Sequence, residues 1–177
     1  EKIYVVYGNG GQQVRQQMKH LTVEWVEQNQ RLGTGHAVLQ VIDHIPDEHM
    51  VLVLYGDVPL VSAETMQRLT GRLHGADSPA VVVLGFRPAD PGAYGRVIVE
   101  PGSDRIAKMV EFKDANEAER ACRLCNSGLM AARAEDLFDL LDRLDNDNAQ
   151  GEYYLPDIVN VAVKDGRTCA AVTTDHP

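Results

Sequence analysis

Val51-Leu52-Val53-Leu54-Tyr55-Gly56-Asp57-Val58-Pro59-Leu60 is the segment on which the fold turns. Its first five residues form the most strongly apolar strand of the chain, and Gly56 with Pro59 punctuates its end. Ser62 then stands as an N-cap, with Glu64 in the first turn and Met66 and Leu69 on the inner face of a helix. Upstream, residues 3–7 read as a buried strand, followed by the turn Gly8-Asn9-Gly10-Gly11 and a Gln-rich helix to about 19. Residues 22–26 form a second strand. Gly33-Thr34-Gly35 opens a helix whose apolar positions Ala37, Val38, Val41 and Ile45 recur at helical spacing. Downstream, residues 80–86 make a fourth strand. This βαβαβαβ order predicts an α/β fold with a mostly parallel, Rossmann-like mixed sheet and helices on both faces. Strands 96–100 and 105–112, joined by Pro101-Gly102-Ser103-Asp104, read as an inserted β-hairpin. A helix from about Asn116, a strand near 124–131 and a helix over 135–144 follow. The polar loop 146–151 then leads to a last helix at 158–164.

A length of 177 residues suits one domain. A net charge of −9 argues against a nucleic-acid surface, which needs clustered Lys and Arg to neutralise phosphates. A single nucleotide remains compatible, because backbone N–H groups and a metal ion can hold it. No apolar run is long enough to span a bilayer. Three cysteines make no disulfide framework, and the composition fits a reducing, cytoplasmic setting. Cys122 and Cys125 lack the further ligands a zinc site needs and are read as structural.

Ligands of open α/β sheets bind beyond the carboxyl ends of their strands. Residues 8–11, 28–35, 55–57 and 88–95 all fall there, each rich in glycine or polar groups. Asp57 lies between apolar stretches, where a carboxylate needs a cation or several hydrogen bonds to offset desolvation. It either ligates magnesium or serves the turn and helix that follow. Gly33-Thr34-Gly35 either admits a flat base or a phosphate to backbone N–H groups, or is a plain turn. His36 taken alone reads as a structural hydrogen bonder. Gly8–Gly11 with Glu27 partly matches a dinucleotide-binding fingerprint, but the third glycine is replaced by Gln13.

Seven segments carry a resemblance. They are Val6-Tyr7-Gly8-Asn9-Gly10-Gly11, Gln28 with Leu32-Gly33-Thr34-Gly35-His36-Ala37, Leu54-Tyr55-Gly56-Asp57-Val58-Pro59-Leu60, and Tyr94-Gly95-Arg96. To these add Val110-Glu111-Phe112-Lys113-Asp114-Ala115, Asn126-Ser127-Gly128 and Gly151-Glu152-Tyr153-Tyr154. Laid in this order, the chain resembles the uridylyltransferase domain of the bacterial bifunctional N-acetylglucosamine-1-phosphate uridylyltransferase/glucosamine-1-phosphate acetyltransferase family. The resemblance implies a fold of the nucleotide-diphospho-sugar transferase type. It also implies magnesium-dependent transfer of UMP from UTP to N-acetylglucosamine 1-phosphate, giving UDP-N-acetylglucosamine and pyrophosphate. By the family pattern Gln28, Gly33 and Thr34 read the uracil. Tyr55, Gly56 and Asp57 line the ribose, phosphate and metal region, with Asp57 the magnesium ligand and the catalytic residue. Gly95, Glu111 and Asn126 hold the N-acetylglucosamine moiety, with Tyr154 beside it.

Set against that pattern, residues 1–177 read as a single nucleotidyltransferase domain truncated at both ends. The family's glycine-rich phosphate loop with its Arg, the Lys further on and a second metal ligand, an Asn, are not in the sequence. Pro156 stands where a Thr is usual. The resemblance leaves room for a homo-oligomer of the full-length protein. The alternatives are a non-catalytic nucleotide- or sugar-binding module and a dinucleotide-binding oxidoreductase.

Overall fold

The computed structural model describes residues 2–8, 10–148 and 150–174, so Asn9 of the first glycine turn and Ala149 of the polar loop lie outside the described residues. Strands β1 (Tyr4–Tyr7) and β2 (Glu24–Glu27) flank helix α1 (Gly11–Gln17) and pair in parallel as a small sheet of their own. Helix α2 (Thr34–Leu39) leads toward the main sheet. That sheet holds six strands: β3 (Met50–Val53), β4 (Val81–Phe86), β5 (Arg96–Val99), β6 (Ile106–Val110), β7 (Cys125–Arg133) and β8 (Cys169–Thr174). The strand order is β6-β5-β7-β4-β8, with β3 also paired to β7.

This arrangement overturns the mostly parallel, Rossmann-like sheet expected above. Within the main sheet only β4 and β8 pair in parallel. Strand β7 runs antiparallel to both β3 and β4, with Met130 opposite Val53 on one side and Val83 on the other. Strand β5 is antiparallel to both β6 and β7. The sheet is therefore mixed and mostly antiparallel. The reason is β7: it lies between two strands that run the same way and keeps them from pairing. An apolar run records that both faces of a strand are covered, and coverage is the same whichever way the neighbour points. Strand β8 was not among the predicted elements.

Alternation along the buried strands sorts the core into two layers. Val81, Val83, Met130 and Ala132 face helices α5 (Ala134–Asp142) and α6 (Asp157–Lys164), meeting Leu137, Leu140, Leu141 and Ile158. Val82, Leu84, Leu129, Ala131 and Val172 face α3 (Ala63–Arg72), meeting Leu69 and Leu73. Ser62 caps α3, its hydroxyl accepting from Thr65 N–H at 3.1 Å. The short helix α4 (Glu117–Arg120) starts on a capping box between Asn116 and Glu119. Among the described residues no helix is long and apolar enough to cross a membrane.

Candidate functional site

The loop before α2 is fastened to the segment before α6. Gly35 N–H donates to the Tyr153 carbonyl at 2.8 Å, Tyr153 N–H to Leu32 at 2.7 Å, and Leu155 N–H to the Thr34 hydroxyl at 2.9 Å. A Cβ on Gly33, whose φ is 108°, would lie 2.5 Å from the Tyr153 carbonyl oxygen. One on Gly35 would lie 2.8 Å from Leu144 Cδ1. The missing side chains of these glycines thus make room for the protein's own chain, not for a base or a phosphate. Gln28 Nε2 donates to the Gly33 carbonyl at 3.1 Å and lies 2.9 Å from His36 Nδ1. The amide nitrogen is thus turned toward the protein, and the amide oxygen has no bond among the described residues and is free for a ligand. His36 also lies 3.3 Å from Gln40 Nε2, in keeping with its structural reading.

Tyr55 follows β3 and links this loop to the sheet. Its ring lies against Gly128, where a Cβ would come within 2.4 Å of Cε2, and Gly128 itself has a φ of +85°. Burial pushes the Tyr55 phenol above its ordinary pKa. The Thr34 hydroxyl beside it acts the other way, and the charges of Asp57 and Glu111 add to the rise. Thr34, Tyr55, Asp57 and Glu111 therefore share one neighbourhood.

Gly56 and Asp57 are exposed in the turn closed by Val58 N–H to the Tyr55 carbonyl at 3.1 Å. Nothing lies within 4 Å of a Cβ placed on Gly56, so no protein contact demands a glycine there. Among the described residues Asp57 has no ion pair and its carboxylate no hydrogen bond, and no group of three or more metal-binding side chains occurs. Magnesium commonly takes one or two carboxylates and fills its remaining positions with phosphate oxygens and water. An exposed, unpaired carboxylate at a strand end fits that role as a single ligand.

Beyond Tyr55 a narrow cleft is lined by Gly95, Arg96, Glu111, Asn126, Pro156 and Asp157. The Glu111 carboxylate lies against Gly95, its Oε1 3.1 Å from where a Cβ would stand. Asn126 N–H donates to the Gly95 carbonyl at 2.9 Å, and Asn126 Oδ1 accepts from Gly128 N–H at 2.9 Å. Burial pushes the Glu111 carboxyl above the usual carboxylate range, with Asp114 adding to it. Burial does the same for Asp157, followed by the charges of Glu111, Asp145 and Asp114. The Tyr154 hydroxyl is bonded to Gln150 Oε1. Its phenol is raised by burial and then by the charges of Glu152, Glu111, Asp157 and Asp114.

The structure thus brings Gly95, Glu111 and Asn126 into one cleft, and Thr34, Tyr55 and Asp57 beside it, with Gln28 and Gly33 supporting the Thr34 loop. Sequence reasoning assigned no role to Asp157, Gly128 or Arg96. Gly128 was detectable only as a glycine inside a strand, which marks a close approach. Arg96 is 2% exposed and donates to the carbonyls of Pro91, Gly92, Tyr94 and Arg120, fixing the 91–95 loop that carries Gly95.

A solved UDP-glucose pyrophosphorylase complexed with UDP-glucose superposes with a TM-score of 0.75 at 18% identity, covering 99% of this chain and 73% of that one. At that identity the likeness concerns the fold alone. The chain is 59% identical over 172 residues to the bifunctional protein GlmU of Novosphingobium aromaticivorans, spanning 97% of this chain and 38% of that protein. It is 55% identical to GlmU of Sphingopyxis alaskensis, over 98% of this chain and 38% of that protein. GlmU of Zymomonas mobilis is 52% identical, again covering 97% and 38%. The chain therefore spans well under half the length of these relatives. Residues 1–150 match the model of the MobA-like NTP transferase domain, and this chain belongs to that family.

Proposed function

We propose that this chain supplies the nucleoside and sugar walls of a magnesium-dependent uridylyltransferase that moves UMP from UTP to N-acetylglucosamine 1-phosphate. The products are UDP-N-acetylglucosamine and pyrophosphate. The observation that carries the reading is spatial. Three separated segments, around Gly95, Glu111 and Asn126, line one cleft, and Tyr55 with Thr34 lies near enough to feel the Glu111 charge. The identity to GlmU proteins supports the same reading.

In this reading the 28–34 loop meets the uracil edge and Tyr55 walls the ribose side. Glu111 accepts hydrogen bonds from sugar hydroxyls, and Asn126 offers its amide N–H group. The acceptor's phosphate oxygen attacks the α-phosphorus of UTP, and pyrophosphate leaves. No protein nucleophile is required, and His36, held between Gln28 and Gln40, is not placed to serve as one. Alignment and neutralisation of charge then account for the acceleration. Bound magnesium, held on the protein side by Asp57, supplies part of that neutralisation at the phosphates.

The test follows pyrophosphate release from UTP and N-acetylglucosamine 1-phosphate in magnesium, using protein expressed from the full coding sequence. Asp57→Asn should lower kcat/KM by about 100-fold or more while leaving the melting temperature unchanged. Wild-type-like turnover of that variant would sink the metal assignment. Absence of turnover in the wild type would sink the reaction itself.

A further inference from the structure

Among the described residues the cleft is lined by two carboxylates and by no cation free of other bonds. Neither Glu111 nor Asp157 has a hydrogen bond or ion pair to its carboxylate among the described residues, although both line the same narrow space. The one cation in the lining, Arg96, has its guanidinium committed to the carbonyls of Pro91, Gly92, Tyr94 and Arg120 and lies 5.3 Å over the Phe112 ring. Among the described residues it makes no ion pair with either acid, and its single positive charge is outnumbered by the two carboxylates. Asn126 has one lone pair of its amide oxygen taken by Gly128 N–H at 2.9 Å, and its amide N–H group makes no bond among the described residues. Lys164 lies at the far end of α6 and exerts the weakest of the influences on Asp157. The cleft is therefore rich in acceptors and net negative.

We propose that Asp157 is a specificity-determining residue of this cleft: together with Glu111 it admits acceptor sugars presenting only hydroxyl and amide groups and rejects those bearing a further negative group. The inference rests on the reading that the cleft holds the acceptor sugar. Its physical basis is that an added anion would sit beside two carboxylates that have no hydrogen-bond or ion-pair partner among the described residues, where like charges repel. Rejection by a repulsive element is a common source of selectivity and needs no tighter contact to the preferred substrate. The same arrangement would orient the acceptor, keeping its 1-phosphate out of the cleft and toward the Tyr55–Asp57 side.

Two acceptors separate the effects: N-acetylglucosamine 1-phosphate and its analogue oxidised to a carboxylate at C6. In the full-length wild type, kcat/KM should strongly favour the neutral sugar. Asp157→Asn keeps size and helix-end position but removes the charge. It should narrow that preference by about tenfold, leaving the KM for UTP and the melting temperature unchanged. Glu111→Gln combined with Asp157→Asn should narrow it further. A folded Asp157→Asn protein with the wild-type preference overturns the proposal and leaves Asp157 as a residue of the α6 first turn. If the wild type turns over neither acceptor, the reading of the reaction fails first. Calorimetry of the two sugar phosphates on the same proteins then decides Asp157, because an unchanged ratio of Kd values overturns it.

Discussion

A methyl group on Gly128 would stand 2.4 Å from Tyr55 Cε2, on a backbone whose φ is +85°. Two separate penalties therefore meet at one residue: left-handed backbone that disfavours any Cβ, and displacement of a ring that walls the proposed nucleoside site. Gly128→Ala should cost about 2 kcal/mol. The melting temperature should fall by roughly 4–8 °C. Because Tyr55 must move, uridine nucleotide affinity should fall too, and calorimetry beside a thermal melt checks both. A variant that melts lower but binds as before would place Tyr55 outside the nucleoside site. Of all this the sequence offered only a glycine after Asn126-Ser127. That its partner is Tyr55, 73 positions earlier, depends on β7 pairing with β3, which no local pattern encodes.

Helix α3 is joined to its surroundings by Arg72 in its last turn. The guanidinium donates to Asp77 and to Asp104, each at 2.7 Å, so it ties the α3–β4 connection to the turn of the β5–β6 hairpin. Hydrogen bonds from Arg72 hold both carboxyls below their ordinary range. For a carboxyl with a depressed folded-state pKa, the stabilisation is complete above the unfolded pKa, near 4, and is lost as pH falls through the folded value. Arg72→Ala should thus lower the melting temperature by a few degrees at neutral pH, the effect being limited by exposure of both acids. The gap between the two proteins should close on acidification below about pH 4. A gap that stays constant with pH would mean that Arg72 acts through packing alone. At this scale the sequence is informative. Ser62 as a cap and Asn116 at the start of a helix are local matters, and their hydrogen bonds are where local chemistry puts them. Of the candidate site residues, Gln28, Tyr55 and Glu111 sit just past β2, β3 and β6, where a local pattern can point to them. Asn126 lies inside β7 and Tyr154 ahead of α6, where none does.

At the scale of the molecule, β8 is the strand that closes the sheet. Cys169 and Ala170 are wholly buried, and Ala171 and Val172 nearly so. Through β4 the strand joins both core layers, Ala171 facing the α5–α6 side and Val172 the α3 side. Burial pushes the Cys169 thiol up to about 12, which suits a residue with no access to water. Ending the chain at 168 should expose both layers, and the product should bind a hydrophobic dye and lose its cooperative melt. Retention of a sharp melt would show that the other five strands suffice. Sequence reasoning stopped at the last helix because Cys-Ala-Ala-Val-Thr-Thr is short and only mildly apolar. The direction of β7 escaped it for a different reason: strand order is settled by packing between distant segments, and a strand covered on both faces looks the same in either orientation.

The hydrogen bond from Leu155 N–H to the Thr34 hydroxyl spans 121 positions of sequence. During synthesis the 28–35 loop leaves the ribosome long before the segment that must hold it. Until residue 155 has emerged, Gly33 and Gly35 face water where Tyr153 should lie, and the loop has no fixed shape to offer a base. Under the nucleoside site proposed above, a uridine nucleotide supplied to nascent chains of increasing length would bind late and all at once, which makes it a reporter of this long-range closure rather than of partial collapse.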